Sequence, residues 1–465
     1  PSIKKIGDGA FSSVNNIKKI VIPGTVEEIG ANAFSNNTTL EEVTIEYGVK
    51  KVGGYAFSGC SSLKSIEFPD SVTDIGNCAM QGCRVLENIK LSNSISTIRA
   101  YVMAYTNITE ITIPEGIESI GGYAFEGCAK LEKIIIPNSL KSIDSGAFWS
   151  ATNLNDIQIG EQNENFKFEN GLLMSKNGEQ VYFGLLNLSD ITIPEGVQTI
   201  KNDAFSGSNA TSISLPNSIG DLTGYEFTGM NKLKTINVNS DNPRYKVENE
   251  NLYSKNGEEL VKYLQTGDII TIPEGVKTIK SRACIGKDAK EIKLPSTLEK
   301  LESKSLSALE GVLNVYIPAN VVAFSSDALP NNAKVQVSTE NEKIKSADDS
   351  MILSKDGKKL YAVSKAVKDF NIPTTVETIE KQCFFMHNNI SEVTVPEGVR
   401  EIKEGAFGYS KLQTINLPST LESMEPNTFE NCKQLTKIVL NKSKDSISGS
   451  PWGCPIGDRA VKWTK

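Results

Sequence analysis

Histidine is almost missing from this 465-residue chain, with His387 as its single copy. That excludes most Ser–His–Asp and Cys–His hydrolytic arrangements and most zinc sites, which draw on imidazoles. Cysteine is scarce at eight residues, and none lies in a CxxC pair. Zinc ribbons, thioredoxin-like motifs, haem attachment and a disulfide-stapled scaffold are thereby set aside. Long apolar runs are absent too: stretches such as Ile134-Ile135-Ile136 are typical, far from the roughly 20 residues that span a bilayer. No run of Lys or Arg interrupts a balance of 49 basic and 56 acidic residues, net −7. Nucleic acid and anionic membrane surfaces are poor partners for such a chain. The chain opens on Pro1 rather than Met, which reads as a processed or truncated segment.

What is present is a repeat. Leu131-Glu-Lys-Ile-Ile-Ile-Pro137-Asn-Ser-Leu-Lys-Ser-Ile143-Asp-Ser-Gly-Ala147-Phe148 is matched by Ile390-Ser-Glu-Val-Thr-Val-Pro396-Glu-Gly-Val-Arg-Glu-Ile402-Lys-Glu-Gly-Ala406-Phe407. The shared frame is LxxIxIPxxVxxIxxxAFxxC. Its proline position falls at Pro23, Glu46, Pro69, Ser92, Pro114 and Pro137, then at Pro194 and Pro216, Pro273, Pro295 and Pro318, and Pro373, Pro396 and Pro418. Within these blocks the step is 22 or 23 residues. Within the same blocks the Phe position keeps this step, from Phe11 to Phe429, taken by Met80, Met103, Cys284, Leu306 and Leu329 where Phe is lacking.

Each part of the frame has a physical reading. LxxIxI ends in alternation, the pattern of a short strand with one buried face. Proline stops the strand because it has no N–H for the ladder. Glu-Gly or Asn-Ser after it is turn chemistry, and VxxI returns to the core. Gly-x-x-Ala-Phe makes a compact turn with a small residue beside a buried ring, leaving room only for a 3₁₀ or brief helical turn. A unit this short buries too little apolar surface to offset the entropy of ordering it. Its neighbours must supply the rest, so the chain is expected to be a β-rich solenoid with one long parallel sheet.

Three gaps interrupt the step, Pro137 to Pro194, Pro216 to Pro273 and Pro318 to Pro373, each longer than one repeat by about 34 residues. Each holds an apolar pair of segments around Ser-Lys-Asn177-Gly178, Ser-Lys-Asn256-Gly257 or Ser-Lys-Asp356-Gly357. Such dipeptides predict β-hairpins with type I′ turns, in which both residues take positive φ. The expected organisation is one solenoid over 1–465, with repeat blocks at about 1–160, 186–240, 265–338 and 366–446. Hairpin insertions fall at about 161–185, 241–264 and 339–365, and a cap carrying Trp452 and Trp463 at about 447–465.

The frame, with Ala-Phe in step with the strand proline, resembles the BspA-like leucine-rich repeats, the Treponema pallidum-type class, along essentially the whole chain. The insertions and the tail Ser450-Pro-Trp452-Gly-Cys454 are similar to segments of such proteins. The resemblance implies a bacterial cell-surface or secreted protein that is not an enzyme and needs no cofactor. Its implied partner is a protein, adhesion to host or matrix proteins being the usual role. It brings no catalytic residues. A carbohydrate-binding or spacer module of a larger secreted polypeptide is the alternative. Where Cys284, Leu306 and Leu329 replace Phe, over roughly 267–330, less regular packing is expected.

Candidate residues are weighed against that register. Cys383 and His387 are spaced like a Cys–His pair, but they fill the Ala position and the position three after Phe384, where Cys60, Cys83, Cys128 and Cys432 stand in other repeats. Buried thiols behave as small hydrophobes; a disulfide between Cys60 and Cys83 is the competing reading. Leu294-Pro-Ser-Thr-Leu298 and Leu417-Pro-Ser-Thr-Leu421 mimic a sorting signal yet sit on the repeat proline. Outward sheet positions run from Val21, Thr44, Glu67, Lys90 and Thr112 to Asn371, Thr394, Asn416 and Val439, mostly polar, with Tyr316 the one aromatic. Exposed aromatics are otherwise expected on the hairpins, at Tyr182, Phe183, Tyr253, Tyr263 and Tyr361. Tyr316, Tyr182, Tyr253, Tyr263 and Tyr361 are therefore the candidate binding residues.

Overall fold

A computed structural model describes residues 3–284, 288–443, 446–455 and 457–464. The chain forms two compact units, Pro1–Arg244 and Tyr245–Lys465. Each is a β-solenoid whose coils have three sides.

The first side is the expected strand. In the N-terminal unit Lys19–Ile22, Glu42–Ile45, Ser65–Glu67 and Asn88–Lys90 pair in parallel, followed by a separate sheet of Glu110–Thr112, Lys133–Ile136 and Asp156–Ile159. Ile20 faces Val43 and Ile134 faces Ile157, so the register is one repeat. The C-terminal unit repeats this with Glu392–Thr394, Thr414–Leu417 and Lys437–Leu440, closed by Val461–Trp463. Trp452 is buried there, and its carbonyl accepts the Phe429 N–H at 3.0 Å. Over the faded repeats the sheet falls into two-stranded pieces, Ile269–Thr271 with Glu291–Lys293 and Asn314–Ile317 with Lys334–Val337. Cys284 and Leu306 nevertheless take their buried places. Lys334–Val337 is a coil that the proline count passes over; it presents Gln336 beside Tyr316.

The second side also pairs. The VxxI segment forms two-residue strands such as Glu28–Ile29, Lys51–Val52 and Asp74–Ile75, a second parallel ladder beside the expected sheet. The turns that lead into it interlock coil by coil. Glu115 Oε1 accepts the Asn138 N–H at 3.1 Å, while Ser139 Oγ accepts the Gly116 N–H at 2.9 Å and donates to the Ile117 carbonyl at 2.8 Å. The same exchange joins Glu195-Gly196 to Asn217-Ser218, Glu274-Gly275 to Ser296-Thr297 and Glu397-Gly398 to Ser419-Thr420. Pro-Glu-Gly and Pro-Asn/Ser-Ser/Thr are thus two halves of one lock. The N–H groups of Ser296 and Ser419 hold Glu274 and Glu397 below the usual carboxylate range.

The third side is the Ala-Phe turn. Asn32, Tyr55, Cys78, Tyr101 and Tyr123, each just before the small residue, have φ between 56° and 59°. This left-handed step aims alternate N–H groups along the solenoid axis: Phe34 donates to Ala56 at 2.8 Å and Phe125 to Ala147 at 2.8 Å. The rings form columns, with Phe34 stacked 5.5 Å from Phe57 and Phe384 4.7 Å from Phe407. Three residues on, a small donor ties each turn to the coil before it. Cys60, Cys83 and Cys128 Sγ donate to the carbonyls of Phe34, Phe57 and Met103, all at 3.1 Å.

The hairpin insertions are three-stranded meanders, each two hairpins in succession. Phe166–Glu169, Leu172–Ser175 and Gln180–Gly184 run antiparallel, and the last pairs in parallel with Thr199–Ile200 of the next coil. The other two are built alike. The type I′ conformation sits in the first turn, where Asn170 and Gly171 have φ of 52° and 77°. At the predicted turns only the glycine is left-handed, Gly178 at 80°. Its N–H donates to the Ser175 carbonyl at 2.9 Å, which is a type I turn closed by a glycine bulge. Asn177 stays right-handed because its Oδ1 already accepts the Ser175 hydroxyl at 2.6 Å and the Glu179 N–H at 3.1 Å. Each meander starts at a buried asparagine: Asn341 donates to the Pro318 and Val321 carbonyls and accepts the Lys343 and Ile344 N–H groups, all within 3.2 Å.

Candidate interaction surfaces

The outward side chains keep the predicted register: every one is exposed or half-exposed, and all but Asn371 stand on strands of the sheet face. Tyr316 is 58% exposed. Charges pair from coil to coil, Lys19 with Glu42 at 2.8 Å and Lys90 with Glu67. Between Asn88–Lys90 and Glu110–Thr112 the ladder stops, and a cleft of about 800 Å³ lies over this break, with Glu67, Glu87, Asn88, Lys90, Glu110 and Thr112 in its lining.

The hairpin aromatics are mostly not where the sequence puts them. Tyr253 and Tyr263 are buried at 4%, and Phe183 is buried against Phe148. The physical reason is the third meander strand: it joins the solenoid ladder, so its neighbours pack into the core instead of standing out. The Tyr263 N–H donates to the Ala283 carbonyl of the next coil at 3.0 Å. Tyr182 is half-buried, edge-on to Phe166 at 5.1 Å with Lys201 Nζ over its ring at 5.8 Å. Tyr361 is half-buried, edge-on to Phe324. Tyr253 and Tyr263 are therefore core residues; Tyr316, Tyr182 and Tyr361 retain surface.

An aromatic patch that the sequence reading did not find lies on the Ala-Phe turns. Tyr101 stacks on Tyr123 at 5.1 Å, and Tyr123 meets Trp149 edge-on at 5.6 Å. Tyr55 and Tyr105 are 45% and 44% exposed. The Tyr105 hydroxyl donates to buried Glu126. Burial, with this carboxylate beside it, pushes Tyr105 up to about 12, and burial raises the Glu126 carboxyl against the stabilising hydroxyl. The signal was present: tyrosine at a position needing positive φ, followed one repeat later by glycine. A Cβ at Gly127 would stand 2.5 Å from the Tyr105 ring.

His387 is fully buried in its repeat position, Nε2 3.2 Å from the Ser364 carbonyl, with Nδ1 accepting the Asn389 N–H. Burial pushes it down to about 4. All eight cysteines are buried, and Cys60 and Cys83 are not joined. Among the described residues no group of His, Cys, Asp and Glu is placed to hold a metal ion, and no helix is long and apolar enough to cross a membrane.

Stacked 22–23 residue coils with an inward Leu/Ile/Phe frame define a leucine-rich-repeat solenoid. The BspA type Leucine rich repeat region, in six copies, matches residues 4–128, 50–170, 164–261, 257–356 and 354–452, and the chain belongs to that family. Among solved structures, a leucine-rich repeat protein from Eubacterium ventriosum is 17% identical, covering 66% of this chain and 83% of its own, at a TM-score of 0.45. The pneumococcal vaccine antigen PcpA is 16% identical over 100% of this chain and 85% of its own, at 0.36. The T. pallidum leucine-rich repeat protein is 20% identical over 43% and 73%, at 0.23. No curated protein sequence matches the chain.

Proposed function

We infer that this is a non-enzymatic bacterial repeat protein, secreted or held at the cell surface, that binds a protein partner in adhesion to host or matrix proteins. The observation that carries this is the sheet face. Coil after coil it presents short polar side chains with few bulky groups, a surface on which a partner can lie without displacing core residues. Tyr316, with Tyr182 and Tyr361 at the meanders, supplies anchors of the kind that dominate protein interfaces. Membership of the BspA-type family supports the compartment.

A second reading has one observation in its favour. The patch of Tyr55, Tyr101, Tyr105, Tyr123 and Trp149 offers rings beside the hydroxyl-bound carboxylates Glu126 and Asp203, a chemistry that also suits saccharides. Surface plasmon resonance against immobilised matrix proteins, run beside a glycan array, separates the two. The first reading expects a saturable protein partner. Selective glycan binding with no protein partner would overturn it.

A further inference from the structure

The cleft at the break in the sheet has three properties that together define an occupant. First, Asn88–Lys90 ends one hydrogen-bonded sheet and Glu110–Thr112 begins the next, so two parallel strand edges face the cleft without a ladder between them. An unpaired edge presents main-chain donors and acceptors at strand spacing, which an extended peptide satisfies better than any other ligand. Second, the break uncovers apolar floor. Ile89 is partly exposed, whereas its equivalents Ile66, Ile111 and Ile134 on nearby coils are buried at 3%, 5% and 0%. Third, the charge does not cancel. Lys90 is committed to Glu67, while Glu87 and Glu110 make no ion pair among the described residues.

We propose that this cleft binds an extended, lysine- or arginine-bearing segment of a protein partner. The segment's main chain bonds to one of the two edges, an apolar side chain covers Ile89, and its cations lie against Glu87 and Glu110. This rests on the protein-binding reading and names the chemistry of the partner's contact segment. The sheet face breaks again between Asp156–Ile159 and Asp190–Thr192, but there the first meander is inserted between the two strands, whereas Asn88–Lys90 and Glu110–Thr112 belong to consecutive repeats.

The test uses the full chain and a fluorescein-labelled peptide of alternating lysine and valine, with a glutamate–valine peptide as control. Fluorescence anisotropy should show binding of the lysine peptide alone, weakening as salt rises. Glu87→Gln combined with Glu110→Gln should weaken it about tenfold. Hydrogen exchange should slow at Asn88–Lys90 or Glu110–Thr112 when the peptide is bound. Unchanged affinity in the double variant, with circular dichroism unaltered, would overturn the proposal, as would protection confined to the Tyr101–Tyr123 patch. The matrix-protein measurement runs in parallel on the same variant. A matrix partner bound equally well by wild type and variant overturns the cleft alone and leaves the protein-binding reading standing. Lysine-peptide binding with no matrix partner overturns the adhesion reading and leaves the cleft.

Discussion

The Tyr123 hydroxyl donates to Asp203 Oδ2 at 3.1 Å, although the two residues are 80 positions apart. The ring reaches that far because Gly146, one coil on, has no side chain: a Cβ there would stand 2.5 Å from Tyr123 Cε1. A meander of three strands separates the two residues in sequence, yet the bond joins the coils on either side of it. The insertion therefore occupies a place within the stack and does not disrupt it.

Removing that bond should be measurable. Tyr123→Phe and Asp203→Ala should each cost about 0.5–1.5 kcal/mol, with a coupling of similar size in a double-mutant cycle by urea unfolding. Gly146→Ala, which needs φ of +69° and meets the ring, should cost more than either. Additive single effects would mean that the bond contributes nothing to the stack.

The buried asparagines give a second prediction. Asn341→Ala leaves the Pro318 and Val321 carbonyls and the Lys343 and Ile344 N–H groups without their partner. A loss of about 2–4 kcal/mol is expected by denaturant unfolding. Exposed Asn177 replaced by Asp should keep the two Oδ1 bonds that Asp356 makes in the same turn and lose only the bond its Nδ2 donates to Glu179 at 2.8 Å, a loss of under about 1 kcal/mol.

How much of this was legible follows from what repeats. Burial recurs every 22 or 23 residues, so the Phe column, the outward face and the place of His387 could be read from spacing alone. Contacts that skip between coils could not. Asn341 bonds Pro318, and Ser139 bonds Gly116; neither pair is meaningful until the stacking partner is known. Turn type was obscured because both a type I′ turn and a glycine bulge want Gly second, and Asn177 decides between them through side-chain bonds. The aromatic patch was hidden because Tyr55, Tyr101 and Tyr123 occupy positions that read as turn. Tyr253 and Tyr263 were misplaced because nothing in a hairpin motif tells that its last strand will join a ladder.

His387 predicts a pH dependence. Its folded pKa is lowered to about 4 by burial, with neighbouring Lys365 adding to the shift against the Ser364 carbonyl. A depressed histidine favours the unfolded state once that state binds the proton. Its stabilising effect is thus whole above the unfolded value of about 6.5 and lost as pH falls toward 4, by about 3 kcal/mol at most. His387→Cys, restoring the residue of other repeats, should flatten thermal melting across that window. An unchanged slope would contradict the assignment.

The thiols should be silent in the folded protein. Burial pushes Cys60 up to about 12 and raises Cys83 and Cys128 as well. Iodoacetamide at neutral pH should leave these three unmodified until denaturant is added, and then label all eight cysteines without prior reduction. A need for reductant would reveal a disulfide.

Every surface of the solenoid depends on one register, in which Phe125 points into the stack and Thr112 points out of the sheet. The most direct measurement is the unfolding free energy of Phe125→Ala beside Thr112→Ala. The register predicts a loss of about 3–5 kcal/mol for the buried ring and under about 1 kcal/mol for the outward threonine. Equal losses at the two positions would contradict it.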